Sequence, residues 1–224
     1  TFTALYPYAH ITPVYMPENE LVAFFLNDSV KVIASSWAPT EEQRKLLLDM
    51  KTVVRTTVVA YDALALVLHR SNPDSLLTYE NVKDIFTGNI TDWKQINSSS
   101  NLGQINIVFD NVRSGNIRYF REIFSLPEEL LPNFFAVNTN NEVIDYVAQT
   151  PGALGIVSVN WIRDEDDTES FSMLSKIKVA DISQQYLDKS SYYLPLQGRI
   201  YEKTYPFVRE VNMHSRESYT GLGS

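Results

Sequence analysis

The chain has 224 residues, a formal net charge of −8 at pH 7, no cysteine and 44% hydrophobic residues. This apolar content is typical of a folded protein, and the acidic balance argues against a nucleic-acid partner bound through a broad basic surface. Without cysteine there are no disulfides or thiolate metal sites, and no apolar run is long enough for a membrane helix. The histidines, His10, His69 and His214, show no metal-binding spacing, so we expect neither a metal nor a cofactor.

Short strands alternate with helices in the N-terminal part of the chain. The periodicity predicts the end of a helix at 2–6, a strand at 11–15, a helix at 18–26, a buried strand at 30–34, and strands at 53–59 and 62–68. Thr40 and Gln43 form a capping box, which predicts a helix over 41–50 with residues 46–48 facing the core.

The segment from Leu77 to Lys94 carries the clearest local signals. Thr78 is suited to cap a helix start, and apolar residues follow it at helical spacing. Gly88 stands where a left-handed residue would end that helix, and Trp93 offers an apolar return to the core. These features predict one short helix docked on the core.

The C-terminal half continues the alternation. It predicts a strand at 105–109, a helix at 117–124, a strand at 154–159 and further strands near 179–182 and 200–205. Capping boxes at 125–128 and 139–142 predict a short helix ending near 131 and a helix ending before Pro151. The acidic run 164–167 is interpreted as a solvated loop. The whole pattern favours an α/β architecture.

Several segments, in order, resemble the phosphate-binding proteins that feed ABC importers, the PstS-like family. They are LTYENVKDIFTGNITDWK from Leu77, INIVFDNVRSGNIRYFREIF from Ile105, NEVIDYVAQTPGALGIV from Asn141 and, more weakly, IASSWAPT from Ile33. The resemblance implies a two-lobed type II periplasmic-binding-protein fold, in which mixed sheets flanked by helices enclose a ligand cleft. Lobe I would comprise 1–64 plus 185–224 and lobe II 65–184, with crossings near 61–66 and 183–187.

The resemblance also implies a binding site for a small anion, most directly phosphate. Helix starts carry unpaired N–H groups and a partial positive charge, so they bind oxyanions without a cationic surface. Ser114, Gly115 and Asn116 stand at such a start, and Ser35 with Ser36 would supply opposing donors. The alternative for Ser114 is a simple helix cap.

The sequence departs from the family at the charged positions of this site. The arginine that the family places four residues before the serine is Asp110 here, and Asn116 replaces a threonine. Arg113 is a candidate to restore the positive charge; an ion pair with Asp110 or a solvent-facing position are the alternatives. The loss of a bidentate arginine should weaken anion binding by roughly 100-fold or more.

Two further site candidates carry open alternatives. Trp37 replaces the aspartate that the family places before Ala-Pro; it would either stack on a ligand or plug the space between the lobes. Asp62 lies where the crossover strand begins; it would either line the cleft or hinge, or be a buried carboxylate that accepts backbone N–H groups.

The two ends of the sequence lack family elements. A first strand with its loop and a last helix are absent from these 224 residues, and the chain starts at Thr1 without a signal-like segment. We expect a processed or trimmed product, with a lipid anchor upstream as one option. A homo-oligomer in which a neighbouring chain completes the sheet is another option.

These features predict an extracytoplasmic solute-binding protein, periplasmic or at the cell surface. It would deliver phosphate or a related small oxyanion to the membrane subunits of an ABC importer. The alternative is a family-derived binding or interaction module with a different ligand or none. No nucleophile–base arrangement is present, so we expect no catalytic residues and no enzymatic activity.

Overall fold

The computed structural model describes residues 5–8, 11–162, 175–184 and 191–216. The helices in these ranges are α1 Glu18–Leu26, α2 Glu41–Asp49, α3 Tyr79–Thr87, α4 Gly115–Phe124, α5 Asn140–Gln149 and α6 Gln197–Tyr201, with 3-10 turns at Trp93–Gln95 and Val159–Trp161. The strands are β1 Val32–Ser35, β2 Arg55–His69, β3 Leu76–Leu77, β4 Asn106–Phe109, β5 Phe134–Ala136, β6 Ala153–Ser158, β7 Ile177–Val179, β8 Asp181–Ser183, β9 Tyr192–Tyr193 and β10 Val208–Ser215. Among these helices, none is long and apolar enough to cross a membrane.

Most strands join one mixed sheet. Its order is β1-β10-β2-β6-β4-β5, with β7 also paired to β2, while β3, β8 and β9 form a second sheet. The long strand β2 changes partners part-way along its length: Ala63 pairs with Val208 of β10, and Leu64 pairs with Ser158 of β6. The predicted α/β architecture with mixed sheets is confirmed, and β2 is the strand that links its two parts.

Two hydrophobic cores lie on either side of this change of partners. The smaller one contains Val22, Phe25, Ile33 and Trp37, and the larger one packs on the second half of β2. Residues 200–207 belong to the larger core, because Ile200, Tyr205 and Phe207 are buried in it. The division into 1–64 plus 185–224 and 65–184, with a return crossing near 183–187, stays a proposal.

The signals around α3 are confirmed in detail. The Thr78 hydroxyl accepts a hydrogen bond from the Asn81 amide at 3.0 Å, and the Asn81 side chain accepts one from the Thr78 N–H at 3.0 Å. Gly88 ends the helix with φ of 82°. Trp93 is fully buried, and its indole N–H donates to the Gly152 carbonyl at 3.0 Å. Local capping and one apolar anchor therefore fix this segment.

Several predicted elements are wrong, each because pairing or packing overrides a local pattern. Residues 11–15 form no strand, residues 126–131 form no helix, and Tyr201 ends a helix rather than lying in a strand. Ser125, predicted to start a helix, is instead the left-handed residue that ends α4, with φ of 53°. In α2 only Leu47 is buried; Leu46 and Leu48 are 46% and 74% exposed.

Other boundaries differ from the sequence prediction. The two strands expected at 53–59 and 62–68 are the single strand β2, and β10 was not predicted. The start of the helix at 2–6 and the acidic run 164–167 lie outside the described residues.

Gly152 offers a test of the contact beneath Trp93. A Cβ atom there would lie 2.6 Å from the Gln104 carbonyl oxygen and 2.9 Å from that of Leu102, and both belong to backbone. We expect Gly152→Ala to lower the free energy of unfolding by about 2 kcal/mol, or the melting temperature by about 4–8 °C. Gly198→Ala is the control, because a Cβ at Gly198 meets nothing within 4 Å. Equal melting temperatures of the two variants would contradict the expected clash.

Candidate functional site

A polar cleft opens where β1, β2 and β10 face the starts of α1, α4 and α5. It consists of two adjoining cavities of about 350 and 470 Å³. Both cavities are lined by Ser35, Ser36, Asp110, Asn116 and Arg209. The smaller one, which we call the helix-start cavity, is also lined by Met16, Pro17, Glu18, Leu21, Ala34, Asn111, Ser114, Gly115 and Asn138. The larger one, which we call the aromatic cavity, is also lined by Ala60, Tyr61, Asp62, Asn140, Ser158, Asn160, Trp161 and Val211.

The start of α4 lies in the wall of the helix-start cavity. Ser114 is its N-cap residue, yet the Ser114 hydroxyl makes no capping bond and is buried without a partner among the described residues. Gly115 and Asn116 follow it in the same wall, as predicted. Glu18 at the start of α1 and Asn138 just before α5 line the same cavity. Residues at or next to the starts of three helices therefore line this cavity, and a helix start carries a partial positive charge.

The carboxylate of Glu18, an anionic group of the chain itself, lies at the start of α4. The Glu18 carboxylate accepts a hydrogen bond from the Ser36 hydroxyl at 3.0 Å. It also forms an ion pair with Arg118, whose Nε lies 2.6 Å from Glu18 Oε1. A Cβ built on Gly115 would lie 3.1 Å from both Glu18 carboxylate oxygens, so the carboxylate lies directly against the start of α4. The Glu18 side chain is only 12% exposed.

Arg118 connects α4 to the opposite side of the cleft. Its Nη2 donates to the Ser36 carbonyl at 3.0 Å, and its Nη1 pairs with Glu122 at 2.7 Å. Burial opposes the charged form, but hydrogen bonds and charge from Glu18 and Glu122 outweigh it and raise the pKa of Arg118. This cation therefore stays charged beside the helix start.

Asp62 and Arg209 bridge the two central strands. They are cross-strand partners, and Arg209 Nε and Nη2 donate to one Asp62 oxygen at 2.9 and 2.7 Å. The Ser158 hydroxyl donates to the other oxygen at 2.9 Å. Asp62 lines the aromatic cavity and accepts hydrogen bonds from side chains, so of the two alternatives the cleft-lining one agrees with the structure and the one with backbone N–H donors does not. Arg209 Nη1 is buried without a partner in the described part of the chain.

Further polar groups in the cleft have no partner among the described residues. The buried oxygens Asp110 Oδ1 and Asn140 Oδ1 accept no hydrogen bond there. Asn116 is only 5% exposed and lines both cavities. Unsatisfied buried polar groups are costly and uncommon in folded proteins, and four of the seven such atoms among the described residues belong to residues of this cleft, which makes it the candidate binding site. In the described ranges no group of three or more acidic or histidine side chains could hold a metal ion.

A family model described as a PBP superfamily domain matches residues 1–223. The chain belongs to the PBP superfamily.

Curated relatives and solved structures place this PBP-superfamily chain near phosphate-binding proteins. It is 26% identical to the phosphate-binding protein PstS of Borreliella burgdorferi over 145 residues, which are 62% of this chain and 49% of that protein. It is 22% identical to PstS of Staphylococcus epidermidis over 178 residues, 79% of this chain and 51% of that protein. The chain thus spans about half the length of the curated relatives it matches.

The solved structures establish the fold. A substrate-binding protein from Clostridium perfringens, assigned to a phosphate ABC transporter and solved with bound phosphate, gives a TM-score of 0.75 at 21% identity, covering 99% of this chain and 80% of that chain. An ABC-type phosphate transport receptor from Vibrio cholerae gives 0.73 at 19% identity, covering 99% and 81%. The predicted membership of a binding-protein family is confirmed at the level of the PBP superfamily, and the predicted type II binding-protein fold is confirmed. These relatives are named as binding proteins and receptors, in agreement with the expectation of no enzyme.

Trp37 does not line the cleft of this PBP-superfamily protein. It is 4% exposed and packs edge-on against Phe25 and His214, with ring centroids 6.0 and 5.0 Å away. The His214 ring also hydrogen-bonds the Trp37 carbonyl at 3.0 Å, and burial lowers the pKa of His214. The tryptophan is therefore packed inside the smaller core and agrees with neither alternative, since it lines neither cavity and its ring contacts lie within that core rather than between the lobes.

Arg113 is also outside the cleft. Its side chain is exposed, its backbone N–H donates to Asn111 Oδ1 at 2.9 Å, and it lines neither cavity. The solvent-facing alternative is the one observed. The nearby positive charges come instead from Arg118 and Arg209, which sequence analysis missed. A usable signal was the position of Arg118, one helical turn after Ser114, over the helix start.

Proposed function

We propose that this chain is the ligand-binding part of an extracytoplasmic solute-binding protein that captures phosphate or a related small oxyanion. It would deliver that ligand to the membrane subunits of an ABC importer, from the periplasm or the cell surface. One observation carries the proposal: an oxyanion, the Glu18 carboxylate, lies against the start of α4 and is held there by Ser36 and Arg118. A group of the same charge and similar geometry can take that place.

The donors around this position suit an oxyanion. Ser36, Ser114 and Asn116, which carry hydroxyl and amide donors, line the helix-start cavity together with Gly115 at the start of α4. Arg118 adds a fork of N–H groups, and hydrogen bonds to charged groups contribute about 1.5–3 kcal/mol each. This local arrangement is compatible with the overall charge of −8, because dipoles and two arginines act at short range.

The same geometry implies that the Glu18 carboxylate competes with an incoming anion for Arg118. Glu18 already neutralises Arg118, and Asp110 adds a second carboxylate to the wall of the cavity. An incoming anion therefore has to displace the Glu18 carboxylate before it can reach Arg118. We expect binding of phosphate in the unmodified chain to be weakened by this displacement.

A second candidate function is a family-derived binding module with a different ligand. Asp110 favours it, because a carboxylate with an unpartnered oxygen stands where the family resemblance implies an arginine. A ligand that brings hydrogen-bond donors would satisfy that oxygen, whereas a fully deprotonated anion would not.

Two matched variants test the anion site by isothermal titration calorimetry with phosphate. Gly115→Asp adds a carboxylate at the start of α4, and we expect it to weaken binding by about 100-fold or more. Gly198→Asp adds the same charge to the first turn of α6, outside the cleft, and should leave binding unchanged. Equal loss in both variants would remove the start of α4 from the site. No heat with phosphate or with phosphate esters would refute the function itself.

A further inference from the structure

The cleft continues well beyond the place where a phosphate group would bind. The helix-start cavity of about 350 Å³ adjoins the aromatic cavity of about 470 Å³, and the same five residues line both. An orthophosphate ion would fill only a small part of this space, which is in the range of sites for organic ligands. The second cavity therefore needs an account of its own.

The unsatisfied atoms in the shared and aromatic parts of the cleft are mostly acceptors. Asp110 Oδ1 and Asn140 Oδ1 are buried acceptors without donors among the described residues, and Arg209 Nη1 is a buried donor without an acceptor. Orthophosphate near neutral pH is rich in acceptors and poor in O–H groups. Hydroxyl groups both donate and accept, so a ligand with several hydroxyls would satisfy all three atoms.

Aromatic rings flank the same cavity. Tyr61 and Trp161 line it, and each is 39% exposed. Lys203 Nζ lies over the Tyr61 ring, 4.6 Å from its centroid, so Trp161 supplies the flat apolar face against which the C–H groups of an organic ring or chain can pack. Amides and carboxylates of the same cavity can bind the hydroxyls of such a ligand.

We propose that the ligand is a phosphate monoester of a polyhydroxylated organic group, the chemistry of a sugar or polyol phosphate. Its phosphate would bind at the start of α4, and its hydroxyl-bearing part would occupy the aromatic cavity between Trp161, Asp110 and Asn140. This inference rests on the proposed anion-binding function and extends it to a ligand class. Arg209 would contact the junction of the two parts, since it lines both cavities.

The test compares calorimetric titrations of the full chain with orthophosphate, glucose 6-phosphate and glycerol 3-phosphate. At least one ester should bind about tenfold or more tightly than orthophosphate, because it adds hydrogen bonds and apolar contact. Trp161→Ala should reduce that preference to below about threefold and leave orthophosphate affinity unchanged, since the ring is lost but the α4 start is intact. Asn140→Ala should act in the same direction if Trp161→Ala proves unstable.

Tyr201→Ala is the matched control, because Tyr201 is a 77% exposed ring that lines neither cavity. It should change neither affinity. Orthophosphate binding as tightly as both esters overturns this inference while the proposed function stands. Binding of none of the three ligands overturns the proposed function together with it. An equal loss of orthophosphate and ester affinity in Trp161→Ala overturns the assignment of the aromatic cavity.

Discussion

Replacing Glu18 by glutamine is expected to raise the affinity of the cleft for phosphate by about tenfold or more. Glutamine keeps the length of the side chain and an oxygen that can accept from Ser36, but it carries no charge. Arg118, held by Glu18 at 2.6 Å, would then be released to an incoming anion. Like charges about 4 Å apart repel by about 4 kcal/mol at an effective dielectric constant of about 20. A tenfold gain in phosphate affinity corresponds to about 1.4 kcal/mol, which is only part of that repulsion energy.

Glu20→Gln is the control for this experiment. Glu20 lies in the same first turn of α1, is exposed, and its replacement changes the net charge by the same amount. Titrations with phosphate at low and moderate salt should show a gain only for Glu18→Gln. A loss of affinity in Glu18→Gln would mean that the carboxylate contacts the ligand favourably, and the competition described above would be wrong.

Much of the fold followed from local sequence signals, because those signals act over one or two helical turns. The Thr78 cap, the Gly88 stop and the start of α4 at Gly115 depend on neighbouring residues alone, and they are observed. Strand β10 was missed because its sequence, VREVNMHS, lacks apolar alternation. The polar residues of β10 can be understood only from the strand beside it, because Arg209 of β10 forms an ion pair with Asp62 of β2. Conversely, residues 11–15 have strand-like composition but no neighbouring strand to pair with.

The residues of the candidate site likewise fall into those that local sequence signals could predict and those that they could not. Ser35, Ser36 and Ser114 could be found because they flank predicted elements. Arg118 and Glu18 could not be paired from sequence, since 100 residues separate them. The role of Trp37 was undecidable from sequence for the same reason: its packing inside the smaller core depends on distant residues such as His214.

The ion pair between Asp62 and Arg209 is expected to have the largest effect on stability. Asp62→Ala leaves Arg209 without its carboxylate partner while both side chains are mostly buried, 19% and 13% exposed. We expect a loss of about 3 kcal/mol in the free energy of unfolding, because an unpaired buried charge costs far more than the pair contributes. Glu210→Gln is the control: the pair between Glu210 of β10 and Lys203, in the turn after α6, spans 3.8 Å and is about half exposed, so its loss should cost below about 0.5 kcal/mol. Urea unfolding of both variants measures the difference. Similar losses in the free energy of unfolding would show that the Asp62–Arg209 pair contributes no more to stability than the exposed Glu210–Lys203 pair.

A double replacement separates stability from binding at the same place. Asp62→Leu with Arg209→Met removes both charges, and an apolar pair of similar size often restores most of the stability lost by breaking a buried ion pair. The double variant should therefore unfold within about 1 kcal/mol of the unmodified chain. It should still bind the ligand about tenfold or more weakly, because the buried Arg209 Nη1 donor is gone from the cleft. Retained affinity in the folded double variant would exclude Arg209 from the site, even if the stability prediction holds.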